Sequence, residues 1–292
     1  MSSEEPKFGP LPEPAEAGII EKANALAAKL RGHKTYNVSE IFYSIQGEGV
    51  RAGTVNVFCR FSGCNLRCAS ADSSVGWNCD TEFSSGKEMT LDEISSSIRL
   101  ARDYGSKQHM GITVGNGCEW IVLTGGEPAL QVDREFCHYF RERGYKLAIE
   151  TNGTVELPKE DYLSGECDDV RCTDNLSLIG WDCGSRLPEP ALVRPSPIKT
   201  GMWNGHCLDW ICVSPKTAEH TIRQTMAHEL RYVRCVGQEI PVPACKALHY
   251  ILSPAMGTDQ DEKANVAHCV DLVKRNPQWR LSLPLHKIIG IR

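Results

Sequence analysis

The chain has 292 residues, 41% of them hydrophobic and 24% charged, which is enough for one large domain with a full core. Its net charge of −5, from 32 basic and 37 acidic residues, gives no basis for nucleic-acid binding as the main task, though a local basic pocket for a small anion is compatible with it. No apolar run is long enough to span a bilayer, and the opening Met1-Ser2-Ser3-Glu4-Glu5-Pro6 lacks the basic and apolar regions of a secretory signal, so the expected location is the cytoplasm.

Residues 1–34 read as an N-terminal extension. It starts rich in proline and acid, and a peripheral helix is expected over 15–30, where Ile19, Ile20, Ala23, Leu26, Ala27 and Leu30 fall at helical spacing. Strands are expected over 38–43 and 54–61, separated by the glycine-rich Gln46-Gly47-Glu48-Gly49. Thr90-Leu91-Asp92-Glu93 has the form of a capping box and should start a helix running toward Asp103. A short buried strand over 120–123 ends in Thr124-Gly125-Gly126-Glu127-Pro128, and a helix over 133–143 should stop at Gly144. Further strands are expected at 146–150, 210–213, 230–235, 249–252 and 280–283.

Strands that alternate with helices argue for an α/β domain with a mainly parallel sheet. Polar, glycine-rich sequence gathers at the C-terminal end of strand after strand, the edge at which such folds build active sites. Periodicity does not choose between a closed barrel, a partial barrel and an open sheet. Between residues 155 and 208 the pattern fails; this stretch carries Cys167, Cys172, Cys183 and Cys207 and reads as an irregular insertion. A second metal site there lacks a close Cys-x-x-Cys pair and fits no zinc pattern well.

Fourteen cysteines are many for a reducing compartment, where structural disulfides are a poor explanation. Cys59, Cys118, Cys137, Cys212, Cys235 and Cys269 sit in apolar or periodic segments and read as small buried hydrophobes. Cys64, Cys68 and Cys79 do not, because they lie among Gly, Asn, Ser and Asp, where cysteine has little packing to gain. A structural zinc or an electron-transfer cluster normally takes four protein ligands. Three thiolates on a cubane leave one iron free to bind and activate a small molecule.

The segment Cys59-Arg60-Phe61-Ser62-Gly63-Cys64-Asn65-Leu66-Arg67-Cys68, followed by Cys79-Asp80-Thr81, resembles the cluster loop of radical S-adenosylmethionine enzymes. More closely it resembles that of the 7-carboxy-7-deazaguanine synthases of queuosine and deazapurine biosynthesis. Five more segments match that family in order: 40–49, Thr124 to Pro128, Glu150-Thr151-Asn152-Gly153, 209–216, and 286–290. The resemblance covers about residues 36–154 and 208–292. One departure is the spacing of ten residues between Cys68 and Cys79, where the family usually has two. Others are Ser253 before Pro254, where family members often carry Gln, and Pro284-Leu285 where many have Gln-Thr.

The resemblance implies a partial or distorted (β/α) barrel of the radical S-adenosylmethionine type over 35–292, with Cys64, Cys68 and Cys79 on a [4Fe–4S] cluster. It implies S-adenosyl-L-methionine held by Asn78, Cys79, Asp80, Gly126, Glu127, Ser214, Pro215, Lys216 and Ser253, Pro254, Ala255, Met256. Physically, a Gly-Gly turn lets backbone groups approach the cofactor, and Glu127 suits an orienting role more than that of an acid. The implied substrate is 6-carboxy-5,6,7,8-tetrahydropterin, held by Ile45, Gln46, Gly47, Glu48, Arg60, Thr124, His286 and the carboxylate of Arg292, with Mg²⁺ at Thr81. Gln46 and Glu48 can accept from a guanidine-like edge, and the planar fork of Arg60 suits a carboxylate; magnesium favours such hard oxygen donors. No residue is implied as an acid–base catalyst, since the radical is generated on the cofactor. A one-electron donor such as a flavodoxin or ferredoxin and a homodimer complete what the resemblance implies. Two rival readings are a glycyl-radical activase and a non-enzymatic zinc-binding regulatory protein; the first leaves Arg60 and Glu48 without a task, the second lacks a fourth ligand near the triplet.

Overall fold

The computed structural model describes residues 34–69, 76–79, 81, 84–107, 118–159, 207–257 and 261–291. The expected helix over 15–30, the cysteines at 167, 172 and 183, Asp80 and Arg292 lie outside the described residues. The chain forms β1 (Tyr36–Ile45), β2 (Val55–Phe61), β3 (Lys87–Met89), α1 (Leu91–Lys107), β4 (Trp120–Gly125), α2 (Arg134–Arg141) and β5 (Lys146–Thr151). Then come β6 (Trp210–Val213), β7 (Met226–Arg234), β8 (Lys246–Pro254), α3 (Glu262–Arg275), β9 (Trp279–Leu281) and α4 (Leu285–Ile289).

The nine strands of the described residues join one sheet in the order β3-β1-β2-β4-β5-β6-β7-β8-β9. β1 pairs antiparallel with both β2 and β3, and every pairing from β2 to β9 is parallel. In a flat sheet β2 and β9 would stand roughly 29 Å apart, six spacings of about 4.8 Å. Yet the turn between β1 and β2 touches the chain that follows β9: Gly49 N donates to Ser282 Oγ at 2.8 Å, and Leu285 N to Gly47 O at 2.8 Å. The sheet therefore curls into a partial barrel, closed by a turn rather than by strand pairing.

Alternation along the strands sorts the two faces. Ile121, Leu123, Leu147, Ile149, Ile211, Val213, Leu230 and Tyr232 pack outward in the core, where Ile94 and Ile98 of α1 and Phe136 and Phe140 of α2 meet them. Thr124, Glu150 and Arg231 line the concave side. The capping box forms as expected: Glu93 N donates to Thr90 Oγ1 at 3.3 Å, while the Glu93 carboxylate receives Thr90 N at 2.8 Å. α2 starts at Asp133, whose carboxylate accepts Phe136 N at 2.9 Å and the Tyr36 hydroxyl at 3.0 Å.

Three expectations need adjustment. β7 and β8 begin earlier than the apolar runs at 230–235 and 249–252. Cys59, Cys137, Cys212 and Cys269 are buried, but Cys118 and Cys235 are only half-buried, because they sit at strand margins against the Val55 and Gly76 carbonyls. The central insertion leaves and rejoins the core at one place: Cys207 N lies 3.5 Å from Pro158 O, and Leu157, Cys207 and Leu208 are all buried. A long excursion with closed ends costs the domain little, since loop-closure entropy grows slowly with length.

Candidate active site

The curled sheet places an acidic group of side chains on its concave face. Arg231, in the middle of β7 and 5% exposed, contacts Glu150 at the end of β5 and lies 3.3 Å from Glu48 and 3.5 Å from Glu229. Gln46 donates to the second oxygen of Glu150 at 2.8 Å, and Glu229 receives Val50 N at 2.9 Å from the β1–β2 turn. A buried charge is tolerated only when paired. Burial opposes the Arg231 charge, but Cys212 and the carboxylates of Glu150, Glu48 and Glu229 hold its pKa well above the ordinary value. Burial pushes the Glu229 carboxyl up, with Arg231 opposing it.

Above this group, the loop after β2 carries the cysteine triplet. Its path is fixed by the turn after β4: Gly126 N donates to Phe61 O at 3.1 Å, and Glu127 N to Gly63 O at 2.9 Å. A Cβ on Gly126 would stand 2.0 Å from Gly63 O, and one on Gly125 (φ +123°) 2.1 Å from Phe61 O. The glycine pair is thus needed for the cysteine loop to seat on the sheet, a reason the sequence alone did not supply. Glu127 is fully buried; its carboxylate accepts Ala129 N at 3.0 Å, the Thr151 hydroxyl at 2.7 Å and Asn152 N at 2.7 Å. Burial pushes its pKa up while those donors pull the other way. Asn152 also donates to Asn65 at 3.1 Å, which ties the β5 turn to the cysteine loop. Despite the ten-residue spacing, Cys79 N donates to Cys68 O at 3.3 Å, so the two ends of the enlarged loop meet.

Two adjoining clefts result. One, of about 230 Å³, is lined by Cys64, Cys68 and Cys79 together with Gly125, Gly126, Asn152, Ser214 and Lys216. The other, of about 260 Å³, is lined by Ile45, Gln46, Gly47, Glu48, Arg60 and His286 together with Pro254, Ala255 and Met256, three residues expected at the cofactor that do not line the thiol cleft. Glu48, Trp77, Thr81, Thr124, Glu150, Lys216, Arg231 and Val233 face both. Lys216 donates to Ser214 Oγ at 2.9 Å and stands 5.3 Å from the Trp77 ring; burial, reinforced by Arg231, pushes its pKa down.

The sequence-derived residues mostly converge here, with exceptions. Asn78, Glu127 and Ser253 line neither cleft, and Pro215 faces a separate surface groove beside Glu219 and Tyr232. Ser253 is fully buried and its hydroxyl has no partner among the described residues. Arg60 pairs with Glu40 at 2.5 Å, and its buried Nε has no hydrogen-bond partner among the described residues. Sequence reasoning missed Arg231, Glu150 and Trp77 as lining residues; two charges inside the apolar run of β7 were the available signal for the first.

Among the described residues no three Cys, His, Asp or Glu side chains converge on a single-ion site. A cubane spreads its thiolates over different irons, and the first cleft offers three thiols with no fourth cysteine or histidine among its lining residues. That donor set fits a cluster with one open iron and does not fit a four-ligand zinc.

The chain is 32% identical over 264 residues to the 7-carboxy-7-deazaguanine synthase of Bradyrhizobium diazoefficiens, spanning 88% of this chain and 100% of that one. The chain belongs to the 7-carboxy-7-deazaguanine synthase family. It is therefore an enzyme of the radical S-adenosylmethionine class, a lyase. The synthase of Caulobacter vibrioides is 33% identical over 272 residues, covering 88% of this chain and 99% of its own. The crystal structure of QueE from Escherichia coli is 18% identical and matches 88% of this chain and 97% of that one with a TM-score of 0.48. No family model matches this synthase-family chain. No helix among its described residues is long and apolar enough to cross a membrane.

Proposed function

We propose that this chain converts 6-carboxy-5,6,7,8-tetrahydropterin to 7-carboxy-7-deazaguanine, with ring contraction and loss of ammonia, as a step toward queuosine or a related deazapurine. The observation that carries this reading is the junction of the two clefts, one lined by thiols and the other by Gln46, Arg60 and His286, with Thr81, Thr124, Glu48 and Glu150 shared between them. Its named relatives support the same reading.

Cys64, Cys68 and Cys79 hold the [4Fe–4S] cluster. Gly125, Gly126, Ser214 and Lys216 hold S-adenosylmethionine beside it, Lys216 meeting its carboxylate or ribose. When bound, this pair would supply the radical chemistry that activates the substrate carbon bearing the carboxylate. The chain's own residues do the positioning. Glu48 and Gln46 accept from the guanidine-like edge of the heterocycle, and Arg60 meets its carboxylate at the opposite side. The Thr81 hydroxyl, at the junction, suits one oxygen ligand of Mg²⁺, with substrate oxygens and water supplying the rest. His286 and Met256 cover the cleft and limit water access. The proposed setting is cytoplasmic, as a homodimer served by a flavodoxin- or ferredoxin-type donor.

The test is anaerobic reconstitution with iron and sulfide, then incubation with dithionite, S-adenosylmethionine, Mg²⁺ and the carboxytetrahydropterin, with products followed by mass spectrometry. Formation of 7-carboxy-7-deazaguanine is expected. 5′-Deoxyadenosine without the deazapurine would assign a different substrate.

A further inference from the structure

The concave face holds more acid than recognition of one guanidine-like edge demands. Glu48 comes from the β1–β2 turn, Glu150 from the end of β5 and Glu229 from β7, and all three surround the single guanidinium of Arg231. Glu48 and Glu150 line the pterin cleft, whereas Glu229 lies beneath, against the Val50 N–H and the Cys212 thiol, which donates to it at 3.5 Å. Three carboxylates around one cation disfavour a further anion beside it, so Arg231 is poorly suited to bind a substrate or cofactor carboxylate directly. What it does geometrically is anchor two acids that sit far apart in sequence and rise from different elements.

We propose that Arg231 is a positioning residue for substrate recognition, holding Glu48 and Glu150 together at the floor of the cleft so that both accept from the donor edge of the heterocycle. The inference rests on the reading of the previous subsection. Without Arg231 the two acids repel each other and Glu150 loses its ion pair, keeping neutral partners such as Gln46, so the floor opens. Glu48, Glu150 and Arg231 also border the thiol-lined cleft, but its cysteines, the Gly125–Gly126 turn and Ser214 stand outside the charge group, so the loss falls chiefly on binding of the heterocycle.

Removing one member of a buried charge group can unfold a protein, so the informative variant is Arg231→Met combined with Glu229→Gln, which removes a buried positive and a buried negative charge together. In the reconstituted holoenzyme this double variant is expected to melt within a few degrees of wild type. Its KM for the carboxytetrahydropterin should rise about 30-fold or more, while kcat at saturation and the KM for S-adenosylmethionine move less than about threefold. Arg231→Lys, which keeps the charge, should bring the pterin KM back to within about fivefold of wild type. A folded double variant with a wild-type pterin KM would overturn the proposal, as would a fall in kcat at unchanged KM or a selective loss of S-adenosylmethionine binding. A wild-type enzyme that does not turn over the pterin at all would overturn the functional reading and this inference with it.

Discussion

The Glu127 carboxylate accepts the backbone N–H of Asn152 at 2.7 Å, so the turn after β4 is clamped to the turn after β5 directly beneath the cysteine loop. All three of its partners are donors. Glu127→Gln sets an amide N–H against one of them and should cost about 1–3 kcal/mol. Glu127→Ala removes every bond and should cost more. Chemical denaturation of the apoprotein measures both, and a neutral Gln variant would show that the clamp does not stabilise the fold.

Gly126 and Gly144 separate two uses of glycine. Gly126→Ala drives a Cβ against Gly63 O and should displace the cysteine loop, lowering iron and sulfide per chain after reconstitution. Gly144 has φ +81° with nothing within 4 Å of an added Cβ. Its Ala variant should lose about 1 kcal/mol from strain alone and keep its full iron content.

Asp133 caps α2 and pairs with Lys34, which together outweigh burial and hold its carboxyl below the ordinary carboxylate value. A depressed acid contributes its full stabilisation above the unfolded-state pKa and loses it as pH falls through the folded one. Asp133→Ala should therefore melt lower than wild type at neutral pH by about 1 kcal/mol of stability. The gap should close in thermal melts taken below the ordinary carboxylate range, and a gap that persists there would contradict the ionic part of the account.

Cysteines divide by position. Ala at 64, 68 or 79 should abolish the cluster absorption, whereas Cys59→Ala in the core should cost about 1–2 kcal/mol and leave iron binding intact. Iron analysis and visible absorption after reconstitution decide this, and a Cys79→Ala protein with full iron would displace that residue from the ligand set.

Much of the site was legible because it is built from short segments. The cysteine loop, the Gly-Gly-Glu turn and the Ser214-Pro215-Lys216 turn each lie at the end of one parallel strand, so strand recognition brought them to one edge. The Thr90–Glu93 capping box was equally local. What stayed hidden is long-range. Arg231 meets Glu48 and Glu150 only because the sheet curls and the β1–β2 turn crosses its concave face, which no periodicity encodes. α3 escaped for a different reason. Its buried face is Asn265, Cys269 and Leu272, too polar for a hydrophobic stripe, and Asn265 is there to bond Ala255 O and Val236 N at 2.9 Å each. The reason for Gly126 was likewise invisible, since the atom it avoids belongs to the preceding strand's loop.

The most direct measurement of the central claim uses carboxytetrahydropterin deuterated at the carbon that bears the carboxylate. If the two clefts place cofactor and substrate side by side as described, deuterium will enter 5′-deoxyadenosine or recovered S-adenosylmethionine while 7-carboxy-7-deazaguanine forms, and Cys64→Ala will abolish both. Deazapurine formed with no deuterium in either cofactor product, or a fully clustered enzyme that leaves the pterin unchanged, would contradict it.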